Sequence, residues 1–273
     1  MWVFEIFEKV AQKYYKKHLA RFVEDNSIFI PRKYNFLEIV LAIFKVLCDD
    51  YNGPFKHLTG EIVNATEVKI HPNFRNRRAE YYKTHPNTYG SYSFDYCLVK
   101  VNRIDVDRIN RNHPSPGTIK IEFAKLADDL PPFSIGLPGQ NESQMNCVIT
   151  GWGIVETGAQ SPVLREAPAQ IMSKDFCNEL GRNITTRRQS IKRTYTDVND
   201  RFSFCAGQKG RGSDSCKGDS GGPLLCQMGS EWIQAGVVSH GPPGGKCGEY
   251  NRPGVYANVA FVMQWIRKIT GCT

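Results

Sequence analysis

The chain has 273 residues, enough for one large hydrophobic core or two small ones. Its 41% hydrophobic and 23% charged residues are the balance of a folded globular protein, which excludes a disordered or low-complexity chain. The net charge of +8 is scattered, and clusters such as Arg182, Arg187, Arg188, Lys192 and Arg193 read as a solvated loop rather than a nucleic-acid surface.

Nine cysteines point to an oxidising compartment, and the odd count leaves at least one without an intrachain partner. Sequons at Asn64, Asn141 and Asn183 suit a secreted glycoprotein. The start of the chain argues the other way. Met1 to Glu8 is rich in Trp, Phe and Glu, not basic then apolar, so no signal peptide is visible.

Residues 5–25 carry Phe7, Val10, Ala11, Tyr14 and Phe22 at helical spacing among Lys9, Lys13, Lys16, Lys17 and Arg21. That pattern predicts a basic amphipathic helix, packed on its own domain or docked on a partner or membrane surface. Pro31 separates it from a second periodic stretch, 36–47, also read as helical. The apolar run from Phe36 to Cys48 is interrupted by Glu38 and Lys45 and is too short to span a bilayer.

Beyond Cys48 the pattern changes to strands and turns. Glu67-Val68-Lys69-Ile70 alternates, then His71-Pro72-Asn73 breaks it. Residues 74–92 are polar and aromatic and read as a long exposed loop. Asp95 directly precedes the apolar run Tyr96 to Val101, where an aspartate is costly unless it has a partner. Residues 102–130 read as an inserted surface loop ending near Pro131 and Pro132. Cys147 to Gly153 is a strand entering a Gly-Trp-Gly turn; 163–171 and 232–239 read as further strands.

The most informative run is Asp214-Ser215-Cys216-Lys217-Gly218-Asp219-Ser220-Gly221-Gly222-Pro223. Glycines on both sides of Ser220 free the backbone, which suits a nucleophile on a loop whose N–H groups face a developing oxyanion.

This run resembles the nucleophile loop of trypsin-like serine proteases, and Cys147 to Gly153 resembles the opening of that family's second barrel. The resemblance covers about residues 55–273 and is strongest from Cys147 onward. It implies an all-β fold of two six-stranded antiparallel barrels over 48–273, the first incomplete (48–130), the second at 131–273, behind an atypical helical extension at 1–47. It implies Ser220 as nucleophile, Asp95 as the carboxylate that orients the catalytic imidazole, and Gly218 and Ser220 as oxyanion-hole donors. By the same resemblance Asp214 lies at the base of a pocket left open by Gly241 and Gly254, where a buried carboxylate calls for a cation. Ser239 falls on the segment that pairs with the substrate backbone, and His240 stands where relatives have tryptophan.

Three bridges are implied in the same way: Cys147–Cys226, Cys177–Cys205 and Cys216–Cys247, with Cys48, Cys97 and Cys272 left over. The loop between Cys177 and Cys205 is longer than is usual in the family. The implied activity is hydrolysis of polypeptides after Arg or Lys, outside the cell, with no cofactor, no metal, no nucleic acid and no transmembrane segment.

Two family features are missing from the sequence. No Ala-Ala-His-Cys precedes Asp95, and no Arg-Ile-Val-Gly-Gly activation site occurs, so Asp219 has no obvious partner. The six histidines are His18, His57, His71, His85, His113 and His240; His71 belongs to a turn, and His57 is the local candidate for a substitute base. Two readings follow. One is a serine endopeptidase whose written chain is inactive because it lacks those segments. The other is a catalytically dead relative that binds peptides or proteins.

Overall fold

The computed structural model describes residues 2–5, 27–31, 60–76, 92–101, 104–111, 123–129, 131, 134, 138–139, 145–162, 164–182, 198, 201–209, 212–241, 247–250 and 252–271. Its centre is a closed barrel of six antiparallel strands: β8 (Cys147–Gly151), β9 (Arg165–Met172), β10 (Ser203–Gly207), β11 (Pro223–Met228), β12 (Glu231–His240) and β13 (Gly254–Asn258). The order β11-β8-β9-β10-β13-β12 returns on itself through the β11–β12 pairing, so these six strands leave no open edge. A short strand, β7 (Lys125–Leu126), adds in parallel to β12. Every residue of β10 and β13 is buried, which accounts for their unbroken apolar and small composition. The barrel core gathers Ile149, Ile171, Phe204, Leu224, Val238 and Tyr256. Gly236 is a packing requirement there, because a Cβ would meet the Phe204 ring at 2.7 Å.

The first sheet is open among the described residues. It runs β1-β6-β3-β2, from β1 (Trp2–Glu5), β6 (Cys97–Val101), β3 (Gly60–Ile70) and β2 (Ser27–Pro31), all antiparallel. A two-residue ladder, β4 (Arg75–Asn76) with β5 (Tyr92–Ser93), closes the base of the loop expected at 74–92. The expected helices at 5–25 and 36–47 lie outside the described residues, apart from Glu5, which ends β1. The two described pieces of the N-terminal stretch are strands, and they flank β6 and β3 in the sheet. A short helix, α1 (Val106–Arg111), follows β6; α2 (Lys174–Arg182) follows β9. The C-terminal helix α3 (Met263–Thr270) follows a 3₁₀ turn at Ala260–Val262 and ends on Gly271 at φ +73°.

The segment carrying Asp95 is docked on the barrel. Tyr96 and Leu98 pack with Val237, Ala257, Val259, Val262 and Ile266 in a second core. The buried Tyr96 hydroxyl faces the carbonyls of Phe202 at 2.7 Å and Asn258 at 2.9 Å, and shares its single proton between them. Burial and the neighbouring Asp95 charge push this phenol well above its ordinary pKa, so it stays protonated as a donor.

Candidate active site

The Ser220 loop is fixed by its own backbone. Asp219 N–H donates to Cys216 O at 2.9 Å and Gly222 N–H to Asp219 O at 2.8 Å. Gly221 N–H and Gly222 O bond to the O and N–H of Val238, which ties the loop to β12 one residue before Ser239. Gly218 has φ +94° and Gly221 φ +86°, a left-handed conformation that favours glycine. Among the described residues the Gly218 N–H donates to no backbone carbonyl.

Asp219 lacked an obvious partner in the sequence; the structure supplies backbone donors. Its Oδ1 accepts from Gly153 N–H at 2.7 Å and its Oδ2 from Cys216 N–H at 2.8 Å. The Gly-Trp-Gly turn makes the room. A Cβ at Gly151 or Gly153 would collide with the Asp219 carboxylate. The carboxylate is thus seated between the turn and its own loop by charge-assisted hydrogen bonds.

Asp95 is 3% exposed, in the turn between β5 and β6. The preceding Phe94 has φ +56°, and Tyr96 N–H returns to Phe94 O at 2.8 Å. A left-handed aromatic residue is costly, and an aromatic cluster holds it. Phe94 stacks on His71 at 4.9 Å and Phe202 at 5.6 Å, with Phe261 also at 5.6 Å. His71 lies against Trp265 at 4.8 Å, and its Nδ1 accepts from Asn73 N–H at 3.2 Å. Burial pushes the His71 pKa down, consistent with a packed neutral ring.

The register of β12 against β13 slips between Val238 and His240, so Ser239 is the extra residue of a β-bulge. The bulge brings the Ser239 hydroxyl to Asp95, where Oγ donates to Oδ2 at 2.8 Å. His240 Nδ1 lies 3.0 Å from the same Oγ. Sequence reasoning missed both contacts. The visible signal was the polar pair Ser239-His240 ending the apolar run Ala235 to Val238.

Asp214 is half-buried. Its Oδ1 accepts from Ser215 N–H at 2.8 Å and its Oδ2 from Gly248 N–H at 3.4 Å. Burial raises its pKa to about 6; hydrogen bonds from Gly248, Ser215 and Gly254 oppose the shift and the Asp219 charge adds to it. A Cβ on Gly254 would meet Asp214 Oδ1 and Ser215 Oγ, both at 3.1 Å, whereas one on Gly241 would meet nothing within 4 Å. Tyr256 completes this corner through its hydroxyl, which donates to Ser215 Oγ at 3.2 Å. The disulfide Cys216–Cys247 joins the Ser220 loop to the segment holding Gly248. Two others, Cys147–Cys226 and Cys177–Cys205, link β8 to β11 and α2 to β10; Cys97 is buried and lies outside these three bridges.

The structure therefore gathers Asp95, Ser239 and His240 into one hydrogen-bonded cluster, with Ser220 on the loop bonded to the adjacent Val238. Asp214, Ser215, Gly248 and Gly254 form a second cluster behind that loop. Of the six histidines, His18, His57, His85 and His113 lie outside the described residues. Among the described residues no cluster of His, Cys, Asp and Glu is arranged to hold a metal ion.

A family model described as Trypsin matches residues 56–266, and the chain belongs to the trypsin family. It is 39% identical over 128 residues to human Serine protease 41, covering 45% of this chain and 36% of the relative. Human Testisin is 37% identical over 131 residues, covering 47% and 38%. Mouse Tryptase is 33% identical over 187 residues, covering 67% and 58%. The chain thus spans less than two thirds of these relatives' length. A solved structure of mouse neuropsin, a serine protease, shares the fold at a TM-score of 0.50 with 24% identity, over 77% of this chain and 73% of that one.

Proposed function

We propose that this chain carries the recognition site of a serine endopeptidase that takes an arginine or lysine side chain against Asp214. The observation that carries the reading is the state of that carboxylate. Burial raises its pKa to about 6, and among the described residues its neighbours Ser215, Gly248 and Gly254 offer it N–H donors but no countercharge. A guanidinium or ammonium group supplies the missing charge. Ser220 is the nucleophile of this reading, Asp95 the carboxylate that orients an imidazole, and the N–H groups of Gly218 and Ser220 the oxyanion donors. Ser239 and the segment that follows it receive the peptide backbone. Hydrolysis further needs a base at Ser220, and without an Ala-Ala-His-Cys segment the sequence as it stands binds such peptides without turning them over. Secretion and glycosylation belong to the same proposal, on the strength of the family and of the three disulfides.

Calorimetric titration with an aryl amidine tests the pocket. Saturable one-to-one binding that Asp214→Asn abolishes is the expected result. Binding that survives the substitution refutes the assignment.

A further inference from the structure

Ser239 has one proton and two lone pairs to distribute. A carboxylate can only accept, so the proton lies on the 2.8 Å line to Asp95 Oδ2. The 3.0 Å contact with His240 Nδ1 then runs the other way, with an imidazole N–H donating to Ser239 Oγ. We infer that His240 is a positioning residue for Asp95: its Nδ1–H, acting through the Ser239 hydroxyl, fixes the orientation and the ionised state of the buried carboxylate.

The physical basis is cooperative. A hydroxyl that accepts from an imidazole is polarised and becomes a better donor to the carboxylate behind it. The arrangement depends on the bulge at Ser239, which puts consecutive residues of β12 into one hydrogen-bonded chain. It also depends on an imidazole at 240, since an indole there has no ring nitrogen at the Nδ1 position. Two titratable groups flank the Asp95 segment: Tyr96, next to it in the chain just before β6, and His71, in the turn after β3 and against Phe94 and Tyr96. The Tyr96 hydroxyl is directed at two backbone carbonyls, and the His71 ring is stacked among aromatic rings. The inference rests on the reading of Asp95 as the orienting carboxylate of the site.

The tautomer reports the direction of the chain. A carboxylate at Asp95 requires Nδ1–H on His240; a protonated Asp95 would reverse both bonds and leave the proton on Nε2. Nitrogen-15 NMR of the labelled full chain at neutral pH is expected to show His240 as the Nδ1–H form, lost in Ser239→Ala. Carbon-13 titration of the Asp95 carboxyl is expected to move upward by about one pH unit in His240→Phe. It returns toward the wild-type value in His240→Asn, whose side-chain amide nitrogen stands near the Nδ1 position. An Nε2–H tautomer in the wild type, or a carboxyl midpoint unmoved by His240→Phe, overturns the inference. Amidine binding on the same sample is the separate test of the pocket, so the two readings fail independently.

Discussion

The hydroxyl of Ser239 donates to the carboxylate of Asp95 at 2.8 Å, and both residues are 3% exposed. Asp95 belongs to the segment entering the first sheet and Ser239 to the barrel, so this bond spans the junction between them. Removing it by Ser239→Ala leaves a buried carboxylate short of a donor and is expected to cost about 1–3 kcal/mol. Urea denaturation measures it. A loss near zero would mean that Asp95 is held from elsewhere.

Asp214 gives a pH signature. Its folded pKa of about 6 lies above the ordinary 3.8, so its contribution to stability is complete below about pH 4 and is lost as pH rises through 6. The shift corresponds to a penalty of at most about 3 kcal/mol at neutral pH. Asp214→Asn is therefore expected to unfold at higher urea than the wild type at pH 8, with the two converging near pH 4. The same ionisation governs cation binding, so amidine affinity should fall about tenfold per pH unit below pH 6. A difference in urea midpoint that is independent of pH contradicts this account of the pocket.

The seat of Asp219 is tested by two glycines. Gly153→Ala places a methyl group on the Asp219 carboxylate and is expected to destabilise by about 1–3 kcal/mol while displacing the Ser220 loop. Gly241→Ala meets open space and should stay within about 0.5 kcal/mol of the wild type. Thermal unfolding of the pair, with backbone NMR shifts of Gly218 and Ser220, separates these outcomes. Equal effects at the two positions would remove the argument for the carboxylate seat.

Phe94 offers a reversal of the usual order. Its φ of +56° favours glycine, so Phe94→Gly should be more stable than Phe94→Ala by about 1 kcal/mol, although both lose the stacking on His71 and Phe202. Chemical denaturation of the two variants decides it. An alanine variant at least as stable as the glycine variant would show that the turn before Asp95 relaxes.

The barrel was legible because its signals are local. The Cys147 to Gly153 strand, the Gly-rich Ser220 run and the apolar strand before Ser239 each sit within a few residues. The first sheet was not legible in the same way. Strand β1 pairs with β6, nearly a hundred residues later, and no alternation within Trp2–Glu5 announces that partner. The bulge at Ser239 was also hidden, since an extra residue shows only in the register against β13. Asp219 looked partnerless because its donors are backbone N–H groups, which no residue type advertises.

Whether Ser220 is activated is decided by active-site titration of the purified 273-residue chain with a peptidyl phosphonate bearing an arginine-like side chain, read by intact mass. Reversible binding that depends on Asp214, with no stoichiometric adduct on Ser220, is the expected result. Full labelling of Ser220, abolished by His57→Ala, would contradict it by revealing a base that the sequence motif does not mark.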